Sequence, residues 1–239
     1  MGHHWTYTID NFTSFNVFGH EIDKFVFNLD TIFAMWAAML FLVVLAFIAT
    51  RKVSIFPSKM QLVFEKILGY FDGLVNGMIH EDGRKHFPLV ASLFLFIVTA
   101  NLMGQLPLKM IELKHGEIAS PTNDINLTAA LAIIVLIYYV VAGILKKKHK
   151  FLLHEVSFVG IISMLVEILE LITRPLTLAL RLFGNILAGE ILITALLGLC
   201  AWGLPLPIMF FEILVACVQA LVFTMLTTVY IATAVNEQH

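Results

Sequence analysis

Residues 156–199 read VSFVGIISMLVEILELITRPLTLALRLFGNILAGEILITALLGL, and this apolar run of 44 residues decides the fold. It is about twice as long as the roughly 20 residues that cross a bilayer core about 30 Å thick as an upright helix. A second long run covers residues 201–235, and the turn signal Gly203-Leu-Pro205-Leu-Pro207 separates the two. Either each run folds back on itself, or both form long, steeply tilted helices. Because there is a single helix-breaking cluster, we predict a tilted helical hairpin.

Three shorter apolar runs precede the hairpin, and each is long enough for one span. We therefore predict an all-α polytopic membrane protein with about five membrane helices and one membrane domain, residues 1–239. Its predicted parts are an N-terminal segment 1–30, a first span 31–50, a segment 51–86 with an amphipathic helix, second and third spans within 87–145, a basic loop 146–155 and the hairpin 156–239.

The composition supports this fold class and excludes others. The chain is 59% hydrophobic, and only 13% of its residues are charged, against about 25% in soluble proteins. A soluble enzyme, a disordered tail, a disulfide-rich secreted domain and a basic nucleic-acid binder are excluded. Cys200 and Cys217 lie in apolar runs, which favours buried thiols over a disulfide. We predict no cofactor, no metal site and no nucleic-acid partner.

Basic residues indicate the orientation, because they accumulate on the cytoplasmic side of a membrane. Ten lie in the segments 51–86 and 146–155, and three lie in the N-terminal segment and the loop between the second and third spans. They are Arg51, Lys52, Lys59, Lys66, Arg84, Lys85, Lys146, Lys147, Lys148 and Lys150 against Lys24, Lys109 and Lys114. We predict an N-terminus outside the cytoplasm and a cytoplasmic C-terminus.

Residues 58–78 form neither a span nor an ordinary loop. Apolar residues recur there at steps of three and four, and polar residues occupy the remaining positions. The apolar set is Val63, Ile67, Phe71, Leu74, Val75 and Met78. This spacing predicts an amphipathic helix at the cytoplasmic membrane surface.

Polar side chains interrupt both long runs at helical spacing. In the first run, five of them fall within an arc of about 80°, and Glu190 lies on the opposite side of the helix. The five are Glu167, Glu170, Arg174, Arg181 and Asn185. In the second run, Glu212, Gln219 and Tyr230 lie within about 20° of one face. Two such faces on neighbouring helices indicate a hydrated path or a polar partner surface.

Arg181 is the strongest functional candidate. An arginine at the bilayer centre costs about 2.5 to 17 kcal/mol, and no acidic residue lies three or four positions away from Arg181. Arg174 differs, because Glu170 is four residues away and the two can neutralise each other. Near the third span, Asn123, Asp124 and Asn126 are interpreted as a turn and helix cap rather than a binding site.

A guanidinium keeps its proton in proteins, so Arg181 cannot relay protons, but it can attract a carboxylate. Carboxylates such as Glu190 and Glu212 can bind and release protons. A fixed cation with separate titratable groups suits ion translocation, whereas no nucleophile–base set for hydrolysis is present. The carboxylate that faces Arg181 can belong to another chain.

The stretch from Leu180 to Glu190, LRLFGNILAGE, resembles the signature of subunit a of the rotary proton-translocating ATP synthase. The resemblance extends over nearly the whole chain. Its further positions are Asn101 with Leu106-Pro107, the motif Pro121-x-x-Asp124-x-Asn126-x-Thr128, Glu212, Gln219 and Tyr230.

This resemblance implies a non-catalytic stator subunit. It would conduct protons at its contact surface with a rotating ring of c subunits. The resemblance also implies that Arg181 faces the ring carboxylate and separates two aqueous half-channels. Glu190, Glu212 and Gln219 would line the periplasmic half-channel, with Asn185 near the ring. Other residues expected along the proton path are Glu167 on the cytoplasmic side and Tyr230. Expected partners are the c-ring, the peripheral-stalk b subunits and other ATP synthase subunits.

Two positions depart from the pattern of some relatives. Glu190 and Glu212 are both carboxylates where some relatives pair a carboxylate with a histidine, and Gly104 stands where some carry aspartate. The alternative function is a self-contained proton-coupled secondary transporter, which predicts inverted repeats and activity without a ring. A membrane scaffold without transport would leave Arg181 unexplained.

Overall fold

A computed structural model describes residues 6–9, 15–17, 20–22, 25–51, 57–79, 83–105, 120–147, 158–199 and 205–236. Several residues used for the predictions lie outside the described residues: Lys24, Lys52, Leu106, Pro107, Lys109, Lys114, Lys148, Lys150, Cys200 and Gly203. The segments 1–30, 51–86 and 146–155 are described only in part.

Six α-helices dominate the described residues. They are α1 Leu29–Thr50, α2 Lys59–Met78, α3 Gly83–Gln105, α4 Ile125–Lys147, α5 Phe158–Leu199 and α6 Pro205–Val235. All except α2 are long and apolar enough to cross a membrane. The predicted fold class, a polytopic helical membrane protein, is confirmed.

The amphipathic helix α2 begins after Ser58, whose side-chain oxygen accepts a hydrogen bond from the Gln61 amide at 3.3 Å and caps the helix. Phe71 and Val75 of the predicted apolar face are buried, and the Phe71 ring lies 4.5 Å from that of Phe94 in α3. Val63, at the start of the predicted face, is exposed. The C-terminal half of α2 is therefore packed on the bundle.

Helices α5 and α6 form an antiparallel hairpin. Residues near the start of α6 contact the end of α5, and Thr233 near the end of α6 contacts Arg174 in the first half of α5. At 1.5 Å per residue, the 42 residues of α5 extend about 63 Å and the 31 of α6 about 46 Å. Both are longer than a bilayer core about 30 Å thick, so each has the length to cross it at a tilt, as the sequence predicted. Helix α5 continues through Pro175.

The core joins α2, α3, α4, α5 and α6. Its largest fully buried side chains include Phe71, Ile97, Val135, Leu182 and Phe223, one from each of these helices. Leu182 directly follows Arg181, so burial of the leucine turns the arginine toward the outside of the bundle. The core thereby sets the direction of the most important polar residue.

Before α1, the chain forms four short strands that the sequence interpretation did not include. β1 Thr6–Ile9 pairs antiparallel with β4 Phe25–Asn28, and β2 Phe15–Val17 pairs antiparallel with β3 His20–Ile22. The strands are three or four residues long, too short for alternation to give a clear signal.

Candidate functional site

Arg181 lies on the exposed surface of α5. Within the described part of the chain, its guanidinium forms neither a hydrogen bond nor a salt bridge. The residues one turn away on α5, Thr177 and Asn185, are also exposed, and the adjoining Leu180 is an exposed apolar residue. A permanent cation in a membrane-spanning helix is costly, which makes this arginine a candidate functional residue.

One helical turn further along α5, Asn185 reaches toward α6. Its Nδ2 donates a hydrogen bond to Gln219 Oε1 at 2.7 Å. Gln219 is buried, and its Nε2 has no acceptor among the described residues. Oδ1 of the buried Asn101 has no donor among the described residues, and Asn101 Nδ2 donates to the carbonyl oxygen of Ala216 at 3.2 Å. Such buried polar atoms usually bind water.

Glu212 is buried against the backbone of α5 at Gly189. A β-carbon at position 189 would overlap Oε1 of the Glu212 carboxylate. The absence of a side chain at Gly189 therefore makes room for the Glu212 carboxylate against the backbone of α5, one position before Glu190 in the sequence.

Glu190 turns toward the connection between α3 and α4. Its Oε2 accepts a hydrogen bond from Nδ2 of Asn123 at 2.6 Å. Asn123 is the last residue of a 3₁₀ turn, Pro121–Asn123. Asn123 therefore lies in the turn before α4, as predicted, and its side chain makes an additional contact with Glu190 that the sequence did not indicate.

The other two polar residues of this motif do shape the chain locally. Asp124 Oδ1 accepts hydrogen bonds from the backbone amide and the side chain of Asn126, both at 2.9 Å, at the start of α4. Asp124 Oδ2 accepts a hydrogen bond from Thr31 of α1 at 3.1 Å. The capping interpretation holds for Asp124, which also ties α1 to α4.

Gly104 lies near the end of α3, against Ser120. A β-carbon at Gly104 would overlap the Ser120 side chain and lie 2.9 Å from the Ser120 Cα. The aspartate that some relatives carry at this position does not fit beside Ser120 here. Gly104 is therefore a close-packing residue.

Arg174 and Glu170 form the predicted salt bridge across one turn of α5. Arg174 also donates a hydrogen bond to Thr233 Oγ1 at 3.3 Å. Its guanidinium carbon lies 5.1 Å from the ring centroid of Tyr230 and 5.9 Å from that of Tyr139. Tyr139, from α4, was not anticipated, because nothing in its local spacing distinguishes it from a core residue.

We call the contacts between α5 and α6 the polar seam: Arg174 with Thr233 and Tyr230, Asn185 with Gln219, and Gly189 with Glu212. Arg181 lies along α5 between the first and second of these contacts. Glu167 is exposed on α5 about one turn before Glu170. The structure therefore brings most of the predicted residues to one seam and leaves Glu167 at its periphery.

These features define a multi-pass membrane protein with a polar seam between two long helices and an exposed intramembrane arginine beside it. The sequence model of the family described as "ATP synthase A chain" matches residues 32–232. A relative, ATP synthase subunit a of Gloeobacter violaceus, is 41% identical over 208 residues, which cover 87% of this chain and 84% of the relative. The chain belongs to the ATP synthase A chain family.

Proposed function

We propose that the protein is the ion-conducting stator subunit of the membrane sector of a rotary ATP synthase. It forms two proton half-channels against a rotating c-ring and couples proton flow to rotation and ATP synthesis. The chain itself carries out no bond-making chemistry. Membership of the ATP synthase A chain family supports its proposed place in the ATP synthase complex. The exposed position of Arg181 supports the proposed mechanism of proton translocation.

The observation that carries the proposal is the exposed Arg181, which has no ion pair within the described residues. A carboxylate on each c subunit would supply the missing anion when it passes. The guanidinium would favour the ionised form of that carboxylate. Since arginine keeps its own proton, it would also prevent protons from passing directly between the half-channels.

The surface around Arg181 is suited to a close helical neighbour. An exposed stripe with helical spacing runs along α5 and consists of Thr177, Arg181, Asn185, Ala188, Leu192 and Ala195. Three of these six side chains are small, and no atom lies within 4 Å of a β-carbon built at Gly184. Small residues allow membrane helices to approach closely, as a ring of c subunits would require.

The half-channel on the periplasmic side would contain Glu190, Glu212 and Gln219, with Asn185 next to the ring. The burial of Glu212 and Gln219 on the polar seam supports this assignment. Gln219 Nε2 and Asn101 Oδ1 lack protein partners among the described residues, which is consistent with water along the path.

The cytoplasmic half-channel would lie beside Glu167 and beside Arg174 with its contacts to Glu170, Thr233 and Tyr230. Tyr230 contacts Arg174 rather than a carboxylate, so its contribution to the path would be to hold that cation in place. The salt bridge with Glu170 compensates the charge of Arg174. This leaves Arg181 as the uncompensated cation of the described part of α5.

The proposed partners are the c-ring, the peripheral-stalk b subunits and the other ATP synthase subunits. We place the protein in a bacterial inner membrane, with the N-terminus periplasmic and the C-terminus cytoplasmic, on the distribution of basic residues. In this orientation Glu190 lies toward the periplasm and Arg174 toward the cytoplasm.

The decisive variant is Arg181→Ala in the whole complex. We expect complete loss of ATP-driven proton pumping into inverted membrane vesicles, with normal amounts of assembled complex. Arg181→Lys should also fail substantially, because lysine can lose its proton and lacks the planar guanidinium. Arg51→Ala, which removes an exposed cation at the end of α1, is the matched control and should pump normally.

Normal pumping by assembled Arg181→Ala complexes would overturn the proposal. Purification in mild detergent separates the alternative function from the proposed one. A co-purifying ring of small hydrophobic subunits, each with a membrane carboxylate, supports the stator. A chain that purifies alone and transports protons after reconstitution would instead establish a self-contained transporter.

A further inference from the structure

The hydrogen bond between Asn123 and Glu190 joins two parts of the chain that are 67 residues apart. The distance between Nδ2 and Oε2 is 2.6 Å. Nothing in the proposed function requires Asn123, so this contact calls for its own explanation.

The turn that carries Asn123 is firmly held. Pro121 and Thr122 are buried. Ser120 Oγ donates to the carbonyl oxygen of Ala100 at 3.2 Å and shares a hydrogen bond of 2.7 Å with Thr122 Oγ1. The close contact of Gly104 with Ser120 packs the turn against α3. The backbone of the turn is therefore held in place, and it positions the Asn123 side chain beside Glu190.

The amide nitrogen of asparagine can only donate a hydrogen bond. Glu190 Oε2 must therefore act as the acceptor, and a proton placed on Oε2 would weaken the bond, because a hydroxyl oxygen is a poorer acceptor than a carboxylate oxygen. A proton can bind to Oε1 without this loss.

We infer that Asn123 is a positioning residue of the periplasmic half-channel. It fixes the Glu190 carboxylate through Oε2 and directs the transported proton to Oε1. This inference rests on the proposed function, because it assumes that Glu190 carries protons. Among the described residues, Glu212 of α6 contacts α5 at Gly189, Asp124 directly follows Asn123, and Arg181 lies more than two turns away on α5.

The test uses the whole ATP synthase in inverted vesicles, with ATP-driven pumping measured across a range of pH and normalised to the amount of assembled complex. The variants are Asn123→Leu, which removes the donor, and Asn123→Asp, which keeps the shape but replaces the donor with an anion. Both remove the hydrogen bond that fixes the Glu190 carboxylate. We expect pumping to fall about tenfold and its pH profile to change.

Two further variants make the result specific. Asn126→Ala removes an exposed asparagine of the same motif that does not contact Glu190, and it should keep the original pH profile. In a Glu190→Gln background, Asn123→Leu should add no further loss, because Asn123 acts through the carboxylate. A purely structural role for Asn123 would give additive losses and an unmoved pH profile, and that outcome would overturn the inference.

The failure of this inference can be told apart from the failure of the proposed function. If Glu190→Gln alone pumps normally, Glu190 is not a proton carrier and its proposed role falls. If Glu190→Gln is impaired while both Asn123 variants pump normally with the original pH profile, only the role of Asn123 is wrong.

Discussion

Single residues determine how closely the two long helices approach, and Gly189 is the clearest case. The backbone there is in direct contact with the carboxylate of Glu212. A glycine in the middle of a helix is less favourable than alanine by about 1 kcal/mol. Close approach of a buried acid to the helix gives a physical reason for keeping glycine at this position.

We expect Gly189→Ala to displace the Glu212 carboxylate, because the added methyl group would overlap Oε1. The displaced end of a flexible side chain can move at low cost, so the complex should assemble. Proton pumping should nevertheless fall by at least severalfold, since proton transfer depends on the spacing of the groups. Gly198→Ala, on the same helix with no atom within 4 Å of the added carbon, is the control. Equal pumping by both variants would show that the position of Glu212 is unimportant.

At this scale, the sequence predicted the ion pairing of the two arginines of α5. The isolation of Arg181 follows from the absence of acids one turn away, and the Arg174–Glu170 pair follows from helical spacing. Asn123 and Tyr139 could not be found in the same way. Their contacts join residues far apart in the sequence, and no periodicity within one helix encodes such a contact.

At the scale of elements, apolar length and periodicity predicted the five long helices, the amphipathic helix and the hairpin. The two small sheets before α1 were missed, because strands this short leave little pattern. Helix α2 was predicted to lie on the membrane surface, but the C-terminal half of its apolar face is packed against other helices of the bundle. Its buried face reflects tertiary contacts with α3 and α6, which amphipathicity alone does not specify.

The C-terminal end of α2 is tied to the end of α6 by one side chain. Asn236 Nδ2 donates a hydrogen bond to the carbonyl oxygen of Met78 at 2.8 Å, one of the carbonyls left without a partner where a helix ends. We expect Asn236→Ala to accelerate amide hydrogen exchange in the last turn of α2 by about two- to tenfold, since such a bond contributes about 0.5–1.5 kcal/mol.

Exchange mass spectrometry of the purified complex would measure this effect. Amides of α4 serve as an internal reference, and Asn126→Ala, at the start of α4, should leave the exchange of α2 unchanged. If α2 exchanges at the same rate with and without the Asn236 side chain, other contacts alone hold its end in place.

At the scale of the whole molecule, the predicted topology has five crossings, one for each long apolar helix, and so predicts chain ends on opposite sides of the membrane. The exposed residues Asn76 on α2 and Asn126 at the start of α4 should therefore also face opposite sides. In a variant with both native cysteines replaced, we expect Asn76→Cys to react with an impermeant thiol reagent only in inverted vesicles. Asn126→Cys should react only in right-side-out cells. Labelling of both from the same side would contradict the predicted topology.

The inclined hairpin also has an electrical consequence. If water enters from both sides along α5, most of the membrane voltage falls across the short dry layer around Arg181 instead of the full bilayer thickness. A membrane voltage of 100 mV is worth about 2.3 kcal/mol for each elementary charge that crosses it. Nearly all of the electrical work would then be done while a ring carboxylate passes this layer. The voltage would therefore act mainly on the proposed ring.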